Sequence, residues 1–146
     1  MIWEPTERFL WGLTVTLLMI NALLYFGRSK EKENFKERII FWGFGSLFLF
    51  GALSRITLFF ADLNVPGSLS GLIFFGNYAQ VGGLFRLLTR LGLFFYFACF
   101  IPFFFAFEFN YKKIRYVLTL IEGILAMCCL IVPYELLEAF RTLSFM

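Results

Sequence analysis

Arg86 and Arg90 stand one helical turn apart in an apolar run that opens at Gly82-Gly83. A guanidinium in such a run is expensive to desolvate, so it needs a partner, an interface or a task. Its planar fork matches carboxylates and phosphates. Arg55 lies toward the end of a second apolar run, and Asp62, Glu135 and Glu138 stand near the ends of two runs. These residue types suit ion pairing or capture of an anion. A second polar group lies deeper: Asn21 and Glu122 each interrupt an apolar run. An asparagine there is expected to hydrogen-bond to a neighbouring helix. A lone carboxyl there is expected to be protonated or bonded across to another helix, with Asn21 as a candidate partner, and such acids can mark an ion or proton path.

Several chemistries are excluded. The chain holds no histidine, which removes histidine-ligated haem, histidine-containing zinc sites and the Glu-x-x-His di-iron motif. There is no Gly-x-Ser-x-Gly motif and no acidic cluster of metal-site form. The reading is therefore non-enzymatic, with neither cofactor nor metal. Cys99, Cys128 and Cys129 all fall within apolar runs and are expected to be buried thiols acting as small hydrophobes. The net charge of +3 does not indicate nucleic-acid binding, because the basic residues flank apolar runs instead of forming a stripe.

Composition assigns the solvent. Of the 146 residues, 60% are hydrophobic and 16% charged, far from the balance of soluble domains. The runs approach the ~18–20 residues that cross ~30 Å of hydrocarbon. The expected fold is all-α: a single integral membrane domain, without a soluble domain, built as a bundle of four transmembrane helices over residues 9–26, 39–61, 84–107 and 116–140. The start, with Glu4 and Glu7, does not read as a cleaved signal. Gly43, Gly45, Gly51, Ala52 and Ser54 give the second span small residues that permit close helix approach. The third run, Gly71 to Phe109, would measure about 58 Å as one straight helix, about twice the bilayer core. Paired glycines weaken a helix interior, so a break is expected at Gly82-Gly83. A short interfacial or re-entrant segment over 69–81 would precede it. Pro102 should kink the third span by deleting the hydrogen bond to Ala98.

Lysine and arginine gather in loops 28–38 and 108–115, which the positive-inside rule places in the cytoplasm, with both termini outside. Counting 1.5 Å per residue from the inner side raises Arg55 about 25 Å, Arg90 about 27 Å, and Arg86 and Glu135 about 33 Å. Asp62, Glu138, Arg141, Glu4, Glu7 and Arg8 lie near that level or above. The expected candidate site is an outward-facing cluster, floored by Arg55, Arg86 and Arg90 and edged by Asp62, Glu135 and Glu138. Its alternatives are internal salt bridges, or capture of an anionic ligand, a lipid headgroup or a partner protein. The implied role is a cell-membrane binding, sensor or accessory module, in contact with lipids and with another membrane protein or further copies of itself. The alternative is a small oligomeric transporter or channel using Glu122 and the broken third segment. A voltage sensor fits poorly, because a sensing helix carries several regularly spaced charges.

Overall fold

The computed structural model describes residues 5–63, 83–111 and 116–133, apart from the side chains of Pro5, Glu7 and Asp62. The expected segment at 69–81 lies outside the described residues. All regular structure among the described residues is helical: α1 (Pro5–Lys30), α2 (Phe35–Leu63), α3 (Gly83–Ala98), α4 (Phe100–Tyr111) and α5 (Val117–Ile131). Three segments, Arg8–Lys30, Phe35–Ala61 and Gly83–Tyr111, are long and apolar enough to cross a membrane.

Local chemistry sets most of the element boundaries. Pro5 opens α1, where its missing N–H costs nothing. Asn34 caps α2: its Oδ1 accepts the Lys36 N–H at 3.1 Å, and its carbonyl accepts the Arg38 N–H at 3.0 Å. Lys32 in the connecting turn pairs with Glu37 at 3.5 Å and lies 5.3 Å over the Phe41 ring. The third span breaks where proline chemistry requires. Pro102 has no N–H for the Ala98 carbonyl, and helix α3 ends at Ala98. Helix α4 starts at Phe100, with Cys99 alone between the two helices.

The fourth span differs from expectation. Helix α5 ends at Ile131, and residues 134–140 of the expected span lie outside the described residues. Val132 is extended, with φ −62 and ψ 142, because the following Pro133 excludes the helical conformation at that position. The described helix is about 22 Å long, shorter than a bilayer core.

Helix α2 packs against α1 on one side and against α3 and α4 on another, and α5 packs against α3 and α4. Small residues let α2 approach its neighbours closely. A Cβ on Gly43 would stand 2.7 Å from the Ala106 Cβ, and one on Gly92 would stand 2.6 Å from Leu58. Ser54 crosses from α2 to α3 and donates to the Gly92 carbonyl at 2.8 Å. Gly51, by contrast, faces open space. Toward the 31–34 turn the packing is aromatic. The Tyr25 ring meets Phe41, Phe44 and Phe48 at centroid distances of 5.9, 5.3 and 5.4 Å, and Phe44 continues to Phe103 at 5.2 Å. The outer faces of α1 and α5 stay apolar and exposed, with Phe9, Leu17 and Leu23 on one and Leu120, Ile124 and Ile131 on the other. In water such faces would be a liability; in lipid they are solvated.

Candidate functional site

The described contacts engage the expected arginines with different neighbours. Arg55 reaches from α2 to α1, where its guanidinium lies 5.3 Å from the Trp11 ring centroid. This is cation–π geometry. Arg90 reaches from α3 to α5, and its Nη1 donates to the Leu130 carbonyl at 2.7 Å. Arg86 lies one turn before Arg90, three to four residues being the spacing that brings helical side chains together, and it is half-buried. Glu135 and Glu138 lie outside the described residues, as does the Asp62 side chain.

Leu130 sits in the last turn of α5, where carbonyls lack intrahelical donors. Val132 N–H satisfies Cys128 O at 2.9 Å. Pro133 has no N–H to offer the Cys129 carbonyl. Arg90 therefore caps the negative end of α5 with a positive charge.

The opposite end of α5 has the complementary arrangement, and its residue was not among those singled out from sequence. Tyr116, at the N-cap position, is left-handed, with φ 54, and makes no side-chain cap. Glu108 on α4 supplies one instead. Its carboxylate accepts the Leu118 N–H at 2.7 Å, the Thr119 N–H at 3.3 Å and the Thr119 hydroxyl at 2.6 Å. Glu108 is buried, and ring stacking of Tyr116 on Phe105 at 5.6 Å closes the same corner. An acid at the N-terminus and a base at the C-terminus both complement the α5 dipole.

The deeper polar group also rearranges. Among the described residues Asn21 makes no bond across helices. Its Nδ2 donates to Leu17 O at 2.8 Å on its own α1, because a carbonyl one turn back lies within its short reach. Glu122 is not paired with it: α5 packs against α3 and α4, while the extensive partner of α1 is α2. Glu122 is half-buried, with Cys99 at the α3–α4 break as an electrostatic neighbour. Its buried Oε2 has no hydrogen-bond partner among the described residues. Ala126 and Cys129 on the same face are buried, as their spacing implies. All three cysteines are free, but Cys128 is exposed, contrary to expectation. Adjacent helical residues point about 100° apart, and here Cys129 takes the inward face while Cys128 faces outward. Among the described residues no group of three His, Cys, Asp or Glu side chains could hold a metal ion.

The chain matches no known protein family, and neither curated proteins nor solved structures give a match.

Proposed function

We propose that this protein is a non-enzymatic multi-pass membrane module that binds an anionic lipid headgroup at its outer level. Arg55, Arg86 and Arg90 serve as the cationic floor, with Asp62, Glu135 and Glu138 at the rim. In this reading α5 and the residues after it complete a fourth span, loops 28–38 and 108–115 are cytoplasmic, and both termini are outside. The exposed faces of α1 and α5 lie against lipid, another membrane protein or a second copy.

The observation that carries the reading is Arg55. Its guanidinium is held over Trp11, and it makes no ion pair among the described residues. A ring contact occupies the face of a guanidinium and leaves its N–H edge for a bidentate phosphate. Trp11 is itself the residue type that settles at headgroup level.

The test is retention of lipid by the purified protein in native mass spectrometry. Phosphatidylglycerol should be retained in preference to phosphatidylcholine. Arg55→Gln should weaken that preference about tenfold, the worth of one charge-assisted bond. Equal retention of both lipids by the unsubstituted protein would remove the reading.

The second reading, an oligomeric transporter or channel, has one observation in its favour. Glu122 has a buried carboxyl oxygen without a hydrogen-bond partner among the described residues, and its electrostatic neighbour Cys99 stands at the break between α3 and α4. Broken helices and intramembrane acids line transport sites. Proton and cation flux in liposomes, with and without Glu122→Gln, tests it. Flux that is absent or unaltered by the substitution excludes the role.

A further inference from the structure

The break between α3 and α4 gathers acceptors and runs short of donors. Phe95 O takes the Cys99 N–H at 3.0 Å, and Tyr96 O takes the Cys99 thiol at 2.8 Å. Both donors of Cys99 are thereby spent. The Ala98 carbonyl closes α3, and Pro102 has no N–H to give it. Ala98 and Cys99 are both buried. Glu122 faces the same break from α5. It shares a helical face with the buried Ala126 and Cys129, and Cys99 is its electrostatic neighbour. Its Oε2 is buried and has no hydrogen-bond partner among the described residues. Arg90, held at Leu130, stands about 12 Å farther along α5.

This corner therefore presents a carboxylate oxygen, a carbonyl that has lost its donor and the negative end of α3. All three attract positive charge. In hydrocarbon an acceptor left without a partner is costly. A proton on Glu122 serves one acceptor at a time, whereas a cation is shared between oxygens. Unwound carbonyls and the C-terminal ends of broken helices hold cations in this way within membranes. One carboxylate balances one positive charge. The larger acid set that a divalent ion uses is absent among the described residues.

We infer that Glu122 and the Ala98 carbonyl form a site for one monovalent alkali cation at the α3–α4 break. Glu122 supplies the charge, and Pro102 is a positioning residue, because the N–H it lacks is what leaves the carbonyl bare. The inference deepens the second reading by naming the ligand of the Glu122 site, and it is independent of the headgroup reading.

Amide NMR of the whole protein in maltoside micelles tests it. N-methylglucamine chloride is replaced at constant ionic strength by sodium chloride or by potassium chloride. The amides of Cys99, Phe100 and Glu122 should move along a saturating curve, while those of Gly12 and Gly27 on α1 stay still. Saturation in one salt alone identifies the ion. Glu122→Gln keeps an oxygen but loses the charge, and should need about tenfold more salt. Pro102→Ala returns a donor to the Ala98 carbonyl and should also weaken the response. The inference is overturned by shifts that fail to saturate in either salt, or by an unchanged curve in Glu122→Gln or Pro102→Ala. A response to pH alone overturns it too, since the site would then hold a proton. Saturable binding without liposome flux keeps this inference and removes transport. Flux that depends on Glu122 without saturable binding does the reverse.

Discussion

Replacing Glu108 by alanine isolates the cap on α5. The carboxylate accepts Leu118 N–H at 2.7 Å, Thr119 N–H at 3.3 Å and Thr119 Oγ1 at 2.6 Å. The hydroxyl can turn back to a carbonyl of its own helix, so its loss counts little. The two amides have no such alternative, because first-turn N–H groups lack intrahelical acceptors. Loss of a cap costs about 0.5–2 kcal/mol, and stranding a buried donor costs about 1–3 kcal/mol. These overlap, and about 3 kcal/mol is a fair total for Glu108→Ala. At 1.4 kcal/mol per decade, local opening at the start of α5 should increase roughly 100-fold. Glu108→Gln keeps one carbonyl acceptor and should give roughly tenfold. Thr119→Val removes only the hydroxyl and should give a few-fold change at most, from about 1 kcal/mol or less. Exchange of the Leu118 and Thr119 amides, followed by NMR in micelles, reads all of these directly. If Glu108→Ala leaves the two amides protected to within about threefold, the carboxylate is not what holds this end of α5.

The glycines of α2 and α3 should separate by what their missing Cβ would meet. Gly43→Ala meets the Ala106 Cβ at 2.7 Å and the Pro102 carbonyl at 3.0 Å, both fixed to backbone, whereas Gly92→Ala meets only the branched end of Leu58 at 2.6 Å. Gly43→Ala should be the worse of the two, each within about 1–3 kcal/mol, while Gly51→Ala should stabilise by about 0.5–1 kcal/mol through helix propensity. Unfolding in mixed sodium dodecyl sulfate and maltoside micelles gives the ranking, and a destabilised Gly51→Ala would contradict it. Ser54→Ala loses the 2.8 Å bond to Gly92 O and should cost about 0.6–1.7 kcal/mol in the same assay. Asn21→Leu should cost less than about 0.5 kcal/mol, since among the described residues its amide bonds its own helix at Leu17 O. A loss well above that would reveal a partner on another helix.

What could be read from the sequence follows the range of each interaction. The three long apolar segments were legible because hydrophobic continuity and flanking charge are properties of consecutive residues. The break before Phe100 was legible too, because Pro102 deletes one particular donor four residues from its acceptor, Ala98. Pro133 carries the same information about α5, and the expectation of a helix through 140 gave more weight to apolar continuity than to the proline. Glu108 was read as one charge among those of a basic loop. Its task depends on α4 folding back so that residue 108 meets residues 118 and 119. The available signal was indirect: Tyr116, just before the helix, cannot cap it. Arg90 was recognised as needing a partner, but a backbone carbonyl leaves no trace in side-chain patterns. Asn21 was assigned a partner across the bundle when the nearest acceptor lay one turn away.

Five residues separate α4 from α5, a connection short enough to make the two antiparallel, and Glu108 and Arg90 favour the same direction and fix the register. In lipid, apolar side chains are as well solvated by acyl chains as by each other, so the leucine-rich surface of α5 gives weak orientation and weak register. The two charges strengthen both. Along the third span they are separated by about 27 Å, and their targets Leu118 and Leu130 are about 18 Å apart, so the side chains reach inward by about 9 Å between them. A reversed α5 would set the carboxylate against carbonyls and the guanidinium against N–H groups, converting two favourable dipole contacts of about 0.3–1 kcal/mol each into two unfavourable ones. A shift of one residue moves the ends by about 1.5 Å and turns them by about 100°, which breaks both contacts at once. Only the antiparallel arrangement with Leu118 at Glu108 and Leu130 at Arg90 satisfies both charges.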